Sequence, residues 1–240
     1  MIRELAAEEI PLTGGRTTSG VVRAADTVRR PQKAASPFVH KLLTHLELKG
    51  FKGAPRFLGI DASAREILSY IPGRVPTDLG NLSDPQISAA ARLLRAMHDA
   101  TVDCELKDSG EVICHGDASP CNCVFVHGLP AAFIDFDAAH AGRRRDDTGY
   151  AAWLWIDIGN PDTDAELQGR RLADWFTAYG GSDIHDAVAA VIDAQTSVAL
   201  RPGAPRATRI WADGCREWTE RNREKLAAAC TMRGEHHDLD

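Results

Sequence analysis

The spacing of apolar residues changes character once along this chain, at Ile71-Pro72-Gly73, and that change constrains the fold more than any other feature. Before it, short runs alternate with turn signals. Glu9 to Thr13 reads as a strand, Gly14 to Gly20 as a turn or loop, and Val21-Val22-Arg23 as a second strand. A tight turn at Ala24-Ala25-Asp26 leads to a third strand, Thr27 to Arg30, which Pro31 ends. A helix begins at Ser36-Pro37, where proline suits the first turn. It continues through Val39, Leu42, Leu43 and Leu46 at helical spacing, and Gly50 closes it. Pro55 to Ile60 and Glu66 to Ile71 add two strands around Asp61-Ala62-Ser63. The order of three strands, a helix and two strands predicts a mostly antiparallel sheet with one packed helix.

After Gly73 the helical period dominates. Ser83-Asp84-Pro85 is a capping residue followed by an early proline, and Ile87, Ala90, Ala91, Leu94 and Met97 then form one stripe. Val112 to His115 reads as a short buried strand. Cys121 to Val126 and Ala131 to Phe136 read as a hairpin around His127-Gly128-Leu129-Pro130. The last hundred residues read as helical, with stripes such as Leu167, Leu172 and Trp175, and Ile210, Trp211 and Trp218. The expected class is α+β in two lobes: residues 1–71 as a small sheet lobe and 72–240 as a larger helical lobe. A cleft between the lobes is the expected ligand site.

At 240 residues the chain is long enough for a sizeable core. A net charge of −6 argues against nucleic acid as the main partner and suits a cationic small molecule. Ala187 to Leu200 is the best apolar run, and Asp193 and Gln195 break it, so no membrane partner is expected. The start, MIRELAAEEI, is acidic where an export signal is basic and then apolar; a cytoplasmic location is expected. Six cysteines are too thinly spread for a disulfide framework. Cys121-x-Cys123 near His115 lacks both the usual zinc spacing and a second ligand pair, so small buried thiols are the expectation. The tail pair His236-His237 reads as a solvated end.

The informative stretch is His115-Gly116-Asp117-Ala118-Ser119-Pro120-Cys121-Asn122, followed by Phe133-Ile134-Asp135-Phe136-Asp137. With His127 to Pro130 as the hairpin loop, Val126 pairs with Ala131 and Asn122 falls opposite Asp135. Directly opposed residues have Cβ atoms about 4.5–5.5 Å apart, close enough for an amide oxygen and a carboxylate to share one hard cation such as Mg²⁺. A loop centred one residue earlier would place Phe133 opposite Asn122; Pro130, lacking an N–H, favours the first register. Asp117 lies five residues before Asn122 in a short loop, within reach of the same mouth. Two oxygen ligands on a metal and one carboxylate off it are the minimal parts for phosphoryl transfer.

HGDASPCN followed by IDFD resembles the catalytic-loop and metal-loop pair of the aminoglycoside phosphotransferase and choline kinase family, small-molecule kinases of protein-kinase-like fold. The pair is also similar to the H-R-D-L-x-x-x-N and D-F-G pair of protein kinases, with the same Asp-to-Asn spacing. The resemblance extends over nearly the whole chain through its two-lobe order. It implies a transfer of the γ-phosphate of ATP or GTP to a hydroxyl of a small-molecule acceptor, with Mg²⁺ required. On it, Asp117 is the catalytic base, Asn122 a metal ligand and Asp135 the principal metal ligand. Asp137 is either a supporting group or a substrate contact, His115 braces its loop, and Asp147, ahead of Tyr150-Ala151-Ala152-Trp153, is a cap or loop anchor.

The first lobe departs from that pattern. The family carries a lysine on the third strand paired with a helix glutamate; here the third strand carries Arg29 and Arg30, and His40 stands near the glutamate's place. An arginine fork binds phosphate bidentately, and strand alternation lets only one of the two face the cleft. Gly15, Thr17 and Ser19 fall in the place of the phosphate-covering loop, or equally in an ordinary hairpin turn. Arg143-Arg144-Arg145 reads as a solvated run or a grip for an anion. Of Trp153 and Trp155, one is expected in the core and one facing the cleft. The acidic stretch Asp157, Asp162, Asp164 and Glu166 reads as a solvated loop, with attraction of a polycation as the alternative. Rival readings are a kinase-fold nucleotide-binding protein without turnover and, more remotely, a metal-dependent phosphoester hydrolase. A serine or cysteine hydrolase is disfavoured because the sequence contains no G-x-S-x-G elbow.

Overall fold

The computed structural model describes residues 8–12, 20–80, 82–181 and 186–237. The first part is a five-stranded antiparallel sheet in the order β1-β2-β3-β5-β4. Its strands are β1 (Glu9–Pro11), β2 (Val22–Ala24), β3 (Thr27–Pro31), β4 (Phe57–Ile60) and β5 (Arg65–Ser69), and helix α1 (Ser36–Leu48) runs between β3 and β4. Val39, Leu42, Leu43 and Leu46 of α1 are buried, so the predicted stripe is the face that packs. The Gly14-to-Ser19 stretch, with Gly15, Thr17 and Ser19, lies outside the described residues.

The second part is mainly helical, and the whole is a two-lobed, protein-kinase-like α+β fold. Helix α2 (Asp84–Asp99) opens with the Gln86 side chain accepting from the Ser83 N–H at 2.9 Å, a capping contact that satisfies an otherwise orphaned donor. The predicted stripe from Ile87 to Met97 is buried. Two small ladders follow: β6 (Val112–Cys114) with β9 (His140–Gly142), and β7 (Cys123–Val126) with β8 (Leu129–Phe133). Helices α3 (Arg144–Ile156), α4 (Ala165–Tyr179), α5 (Ala187–Ala199), α6 (Arg206–Arg221) and α7 (Arg223–His237) complete the lobe. Helix α4 packs on α7 and α2, and α5 on α3 and α6. At Gly149 a Cβ would lie 2.5 Å from the Ala190 carbonyl oxygen, so the α3–α5 crossing depends on its absence.

Two expectations are corrected and a third is refined. Trp153 and Trp155 are both core, each 1% exposed. Their i, i+2 spacing does put them on different faces, but α3 is buried nearly all round by its neighbours, so both faces are interior. The α6 stripe is only partly buried: Ile210 and Trp211 are exposed, and the face turned inward is Ala212, Cys215 and Thr219. The triple arginine is ion-paired along its length, with Arg143 exposed and the other two partly buried. Arg143 pairs with Asp146, Arg144 with Asp99, and Arg145 with Asp186 and Asp193, so the run ties α3 to α2 and α5.

Among the described residues no helix is long and apolar enough to cross a membrane. None of the six cysteines forms a disulfide, and five of them are buried. Cys114 sits beside His98 and Asp147, and burial together with neighbouring carboxylates pushes its thiol far up.

Candidate active site

The hairpin that carries the site is tighter than predicted. Its turn is His127-Gly128 alone, with φ of 50° and 82°, the backbone of a two-residue hairpin turn. Pro130 lies in the strand opposite Phe125 rather than in the loop. The reason is that Phe125 exchanges both its backbone hydrogen bonds with Arg74, at 2.7 and 3.0 Å. Its pair with Pro130 is therefore the non-hydrogen-bonded kind, where a residue without an N–H forfeits no ladder bond. A register shift between Val124 and Phe125 then sets Cys123 opposite Phe133. The Ile134 N–H donates to the Asn122 carbonyl at 2.9 Å, so Asn122 faces Ile134 and not Asp135. Asp135 falls one residue beyond, in a left-handed conformation (φ 60°, ψ 64°) that turns the chain into a short 3₁₀ helix, Phe136–Ala138.

The loop from His115 to Asn122 is fixed from three sides. Asp147, fully inside at the start of α3, accepts from the His115 N–H at 2.8 Å and the Gly116 N–H at 3.0 Å. It also meets His98 Nε2 at 3.0 Å, and His98 Nδ1 is 2.7 Å from the Tyr179 hydroxyl. Burial would raise the Asp147 carboxyl, but His98 and the donated hydrogen bonds outweigh it and hold the group below the usual carboxylate range. His115 receives the Asp117 N–H on Nδ1 at 3.3 Å and so donates from Nε2 to the Ile134 carbonyl at 3.1 Å. Burial pushes its pKa down, consistent with a neutral ring that ties the two loops together. Trp155 Nε1 donates to the Ala118 carbonyl at 2.8 Å. At Gly116 (φ 76°) a Cβ would lie 2.3 Å from the Ala138 carbonyl oxygen, so only glycine lets the loops meet this closely.

Asp117 accepts on one oxygen from Asn122 Nδ2 at 2.8 Å and on the other from the Tyr150 hydroxyl at 2.9 Å. Asn122 Nδ2 also reaches the Asp117 carbonyl at 3.0 Å. Burial raises the Asp117 carboxyl above its ordinary value despite the hydrogen bonds from Tyr150 and Asn122, and the charge of Asp135 adds to the rise. With its nitrogen committed, Asn122 has its amide oxygen left for another partner.

Arg30 faces the cleft. Its side chain, 9% exposed, contacts three carboxylates: Nε to Glu66, NH1 to Asp135 Oδ1 at 3.1 Å and NH2 to Asp137 Oδ1 at 2.6 Å. Lys33 Nζ holds the other Asp137 oxygen at 2.5 Å. Asp137 is thus engaged by two cations; they overcome the effect of burial and keep its carboxyl below the usual range. Glu66 is the cross-strand neighbour of Arg30 in the β3–β5 ladder and also meets His40 Nε2 of α1 at 2.6 Å. Arg29 instead lies 3.6 Å from Asp61. The structure therefore brings Asp117, Asn122, His115 and Asp147 into one bonded assembly, and Asp135, Asp137 and Arg30 into another beside it. Arg29 is outside both.

Glu66, Lys33 and Tyr150 were not anticipated as site residues, and Trp155 was expected only as a core or cleft-facing ring. Tyr150 had a signal: it stands three residues after Asp147, on the same helix face. Glu66 had one too, as an acid inside Arg65-Glu66-Ile67-Leu68-Ser69 that alternation places on the inner face of a strand.

A two-lobed kinase-like fold with these two loops defines the class. The structure is similar to aminoglycoside phosphotransferase APH(3'')-Id from Streptomyces rimosus, solved with ADP and streptomycin, at a TM-score of 0.58 and 14% identity over 89% of this chain and 93% of that one. It is similar to a choline/ethanolamine kinase family protein from Mesorhizobium loti (TM-score 0.53, 15% identity, 88% and 89% covered). An ethanolamine kinase of Plasmodium vivax gives 0.55 at 12% identity, over 85% and 80%. The chain thus has the fold of these proteins. In sequence it is 33% identical over 171 residues to a trifolitoxin immunity protein of Rhizobium leguminosarum bv. trifolii, covering 65% of each chain. No family model matches the chain.

Proposed function

We propose that the protein is a phosphotransferase that moves the γ-phosphate of ATP or GTP to a hydroxyl of a small molecule. The observation that carries this reading is the Asp117 carboxylate, held by Asn122 and Tyr150 in a loop fastened to the Asp135 loop. Asp117 receives the hydrogen bond of the acceptor hydroxyl, orients it, and takes its proton as the new bond forms. The two terminal nitrogens of Arg30 supply a planar fork of the kind that grips phosphate.

The donor set fits a hard divalent cation: the amide oxygen of Asn122 and a carboxylate, Asp135, that is 36% exposed and bonded through Oδ1 alone among the described contacts. Such an ion, when bound, supplies positive charge to the nucleotide phosphates. Both sides of this reading, metal and donor nucleotide, are tested by thermal unfolding with ATP and with GTP, each with and without Mg²⁺. At about one hundred times Kd, linkage stabilises by roughly 2.7 kcal/mol, a rise in Tm of about 5–10 °C for a chain of this size. A metal-dependent rise with one nucleotide supports the reading; no rise with either overturns it.

The acceptor site we assign is the pocket of about 520 Å³ bordered by Asp157, Asn160, Trp211, Trp218 and Arg221. Helix α3 links it to the catalytic loop, because Tyr150 touches Asp117 and Trp153, three residues on, stacks on Trp211 at 4.7 Å. Asp164 and Glu166 do not border this pocket; Asp164 caps α4 by accepting from the Leu167 N–H at 3.0 Å. The cytoplasm is the compartment we assign, as the one that supplies nucleotide.

One observation favours a second reading, a kinase-fold binding protein without turnover. Both Asp117 oxygens already accept hydrogen bonds, from Asn122 and Tyr150. Release of ADP or GDP matched by formation of a phosphorylated acceptor separates the two.

A further inference from the structure

We propose that Arg30 is the resident cation of the nucleotide-free cleft and keeps free divalent ions off Asp135, so that metal enters only together with a nucleotide. The inference rests on the reading of Asp135 as a metal ligand. Three carboxylates, Glu66, Asp135 and Asp137, meet two cations, Arg30 and Lys33. Every nitrogen of the Arg30 guanidinium is used, each on a different acid. A divalent ion approaching Asp135 therefore meets a guanidinium already seated there.

The three contacts are not equivalent. Glu66 is fully buried and paired with Arg30 across the sheet, which anchors the Nε side. Asp137 keeps Lys33 when Arg30 leaves it. Asp135 has no second cation among the described contacts, its bond to Arg30 is the longest of the three at 3.1 Å, and it is the most exposed of the three acids. A phosphate offers the same pair of oxygens to the fork that the two aspartates now fill. When phosphate draws the fork away, Asp135 alone is left without a counter-charge, at the edge of the cleft where a metal riding on that phosphate would arrive. The same residue thus guards the ligand and, by moving, releases it.

The test is titration with Mn²⁺ alone, followed by the paramagnetic signal of the free ion, and then with Mn²⁺ plus ADP. The double variant Arg30→Gln/Glu66→Gln removes one charge of each sign and leaves no unpaired buried ion. It is expected to bind Mn²⁺ alone about tenfold more tightly than wild type and Mn²⁺–ADP more weakly. Arg30→Lys, whose single ammonium lacks the fork, is expected to shift in the same direction by less and serves if the double variant does not fold. Lys33→Gln lowers the positive charge of the cluster without touching Asp135 and is expected to leave Mn²⁺ binding within about twofold of wild type. Unchanged or weaker Mn²⁺ binding in the Arg30 variants overturns the proposal, as does equal tightening by Lys33→Gln. Failure of wild type to bind Mn²⁺–ADP counts against the phosphotransferase reading instead, and the Mn²⁺-only comparison still stands.

Discussion

At the scale of single residues, the site is organised by what each polar group does with its second partner. Asp117 is usable as a base only when ionised, and its carboxyl is raised by burial. The rate is therefore expected to fall on acidification through a pKa above the ordinary aspartate value of about 3.9, and Asp117→Asn to lower it by orders of magnitude with nucleotide affinity retained. A pH–rate profile with parallel nucleotide titrations checks both. His115 gives a second pH effect. Its folded pKa lies below the unfolded value, so between the two the unfolded chain binds the extra proton. Stability from this group is thus complete above about pH 6.5 and declines as pH falls towards the depressed folded pKa. His115→Gln is expected to flatten that part of the stability curve, measured by urea unfolding from about pH 7 to 5. The expectation that His115 braces the loop and Asp147 caps or anchors it came from the family resemblance alone, since Asp147 lies far along the chain from the loop whose N–H groups it accepts. The partner of Arg30 was not legible in the sequence, since only the strand register reveals that Glu66 stands opposite.

At the scale of elements, existence and order were readable and pairing was not. Alternation and turn residues located all five strands of the first sheet, and the buried stripe of α2 followed from its spacing. The hairpin register failed for a local reason: a sequence does not show that Phe125 spends its hydrogen bonds on Arg74, and that contact is what admits Pro130 to a strand. The face of α6 failed for a tertiary one, because helical spacing identifies an apolar stripe but not whether a neighbour covers it. Helix crossings are equally invisible. Gly149 breaks the rule that helices avoid glycine, and the reason is the Ala190 carbonyl against it. Gly149→Ala, normally favourable in a helix, is expected to destabilise by about 1–3 kcal/mol through overpacking, read from denaturant midpoints at constant m.

At the scale of the whole molecule, the two proposed ligand sites lie at opposite ends of a short chain of contacts from Arg30 and Asp135 through Asp117 and Tyr150 to Trp211. Trp211 is 40% exposed, so its removal should alter recognition more than folding. Trp211→Ala is expected to raise KM for the acceptor at least several-fold with KM for nucleotide unchanged. Steady-state kinetics with each substrate varied in turn separates the two, and equal effects on both would place the acceptor elsewhere. Which acceptor it is could not be read from the sequence, because the walls of the proposed pocket come from residues 157–161 and 210–221, separated in the chain by α4 and α5.

The pairing of Arg30 with Glu66 has a consequence for control. Both partners belong to one sheet, fixed in neighbouring strands, and α1 contributes only His40 at the far side of the carboxylate. Here a partner or compound that levers α1 outward would cut the His40 contact and leave the charge pair whole. The charge pair is thereby set by the strand register that puts Glu66 opposite Arg30, and not by the position of α1.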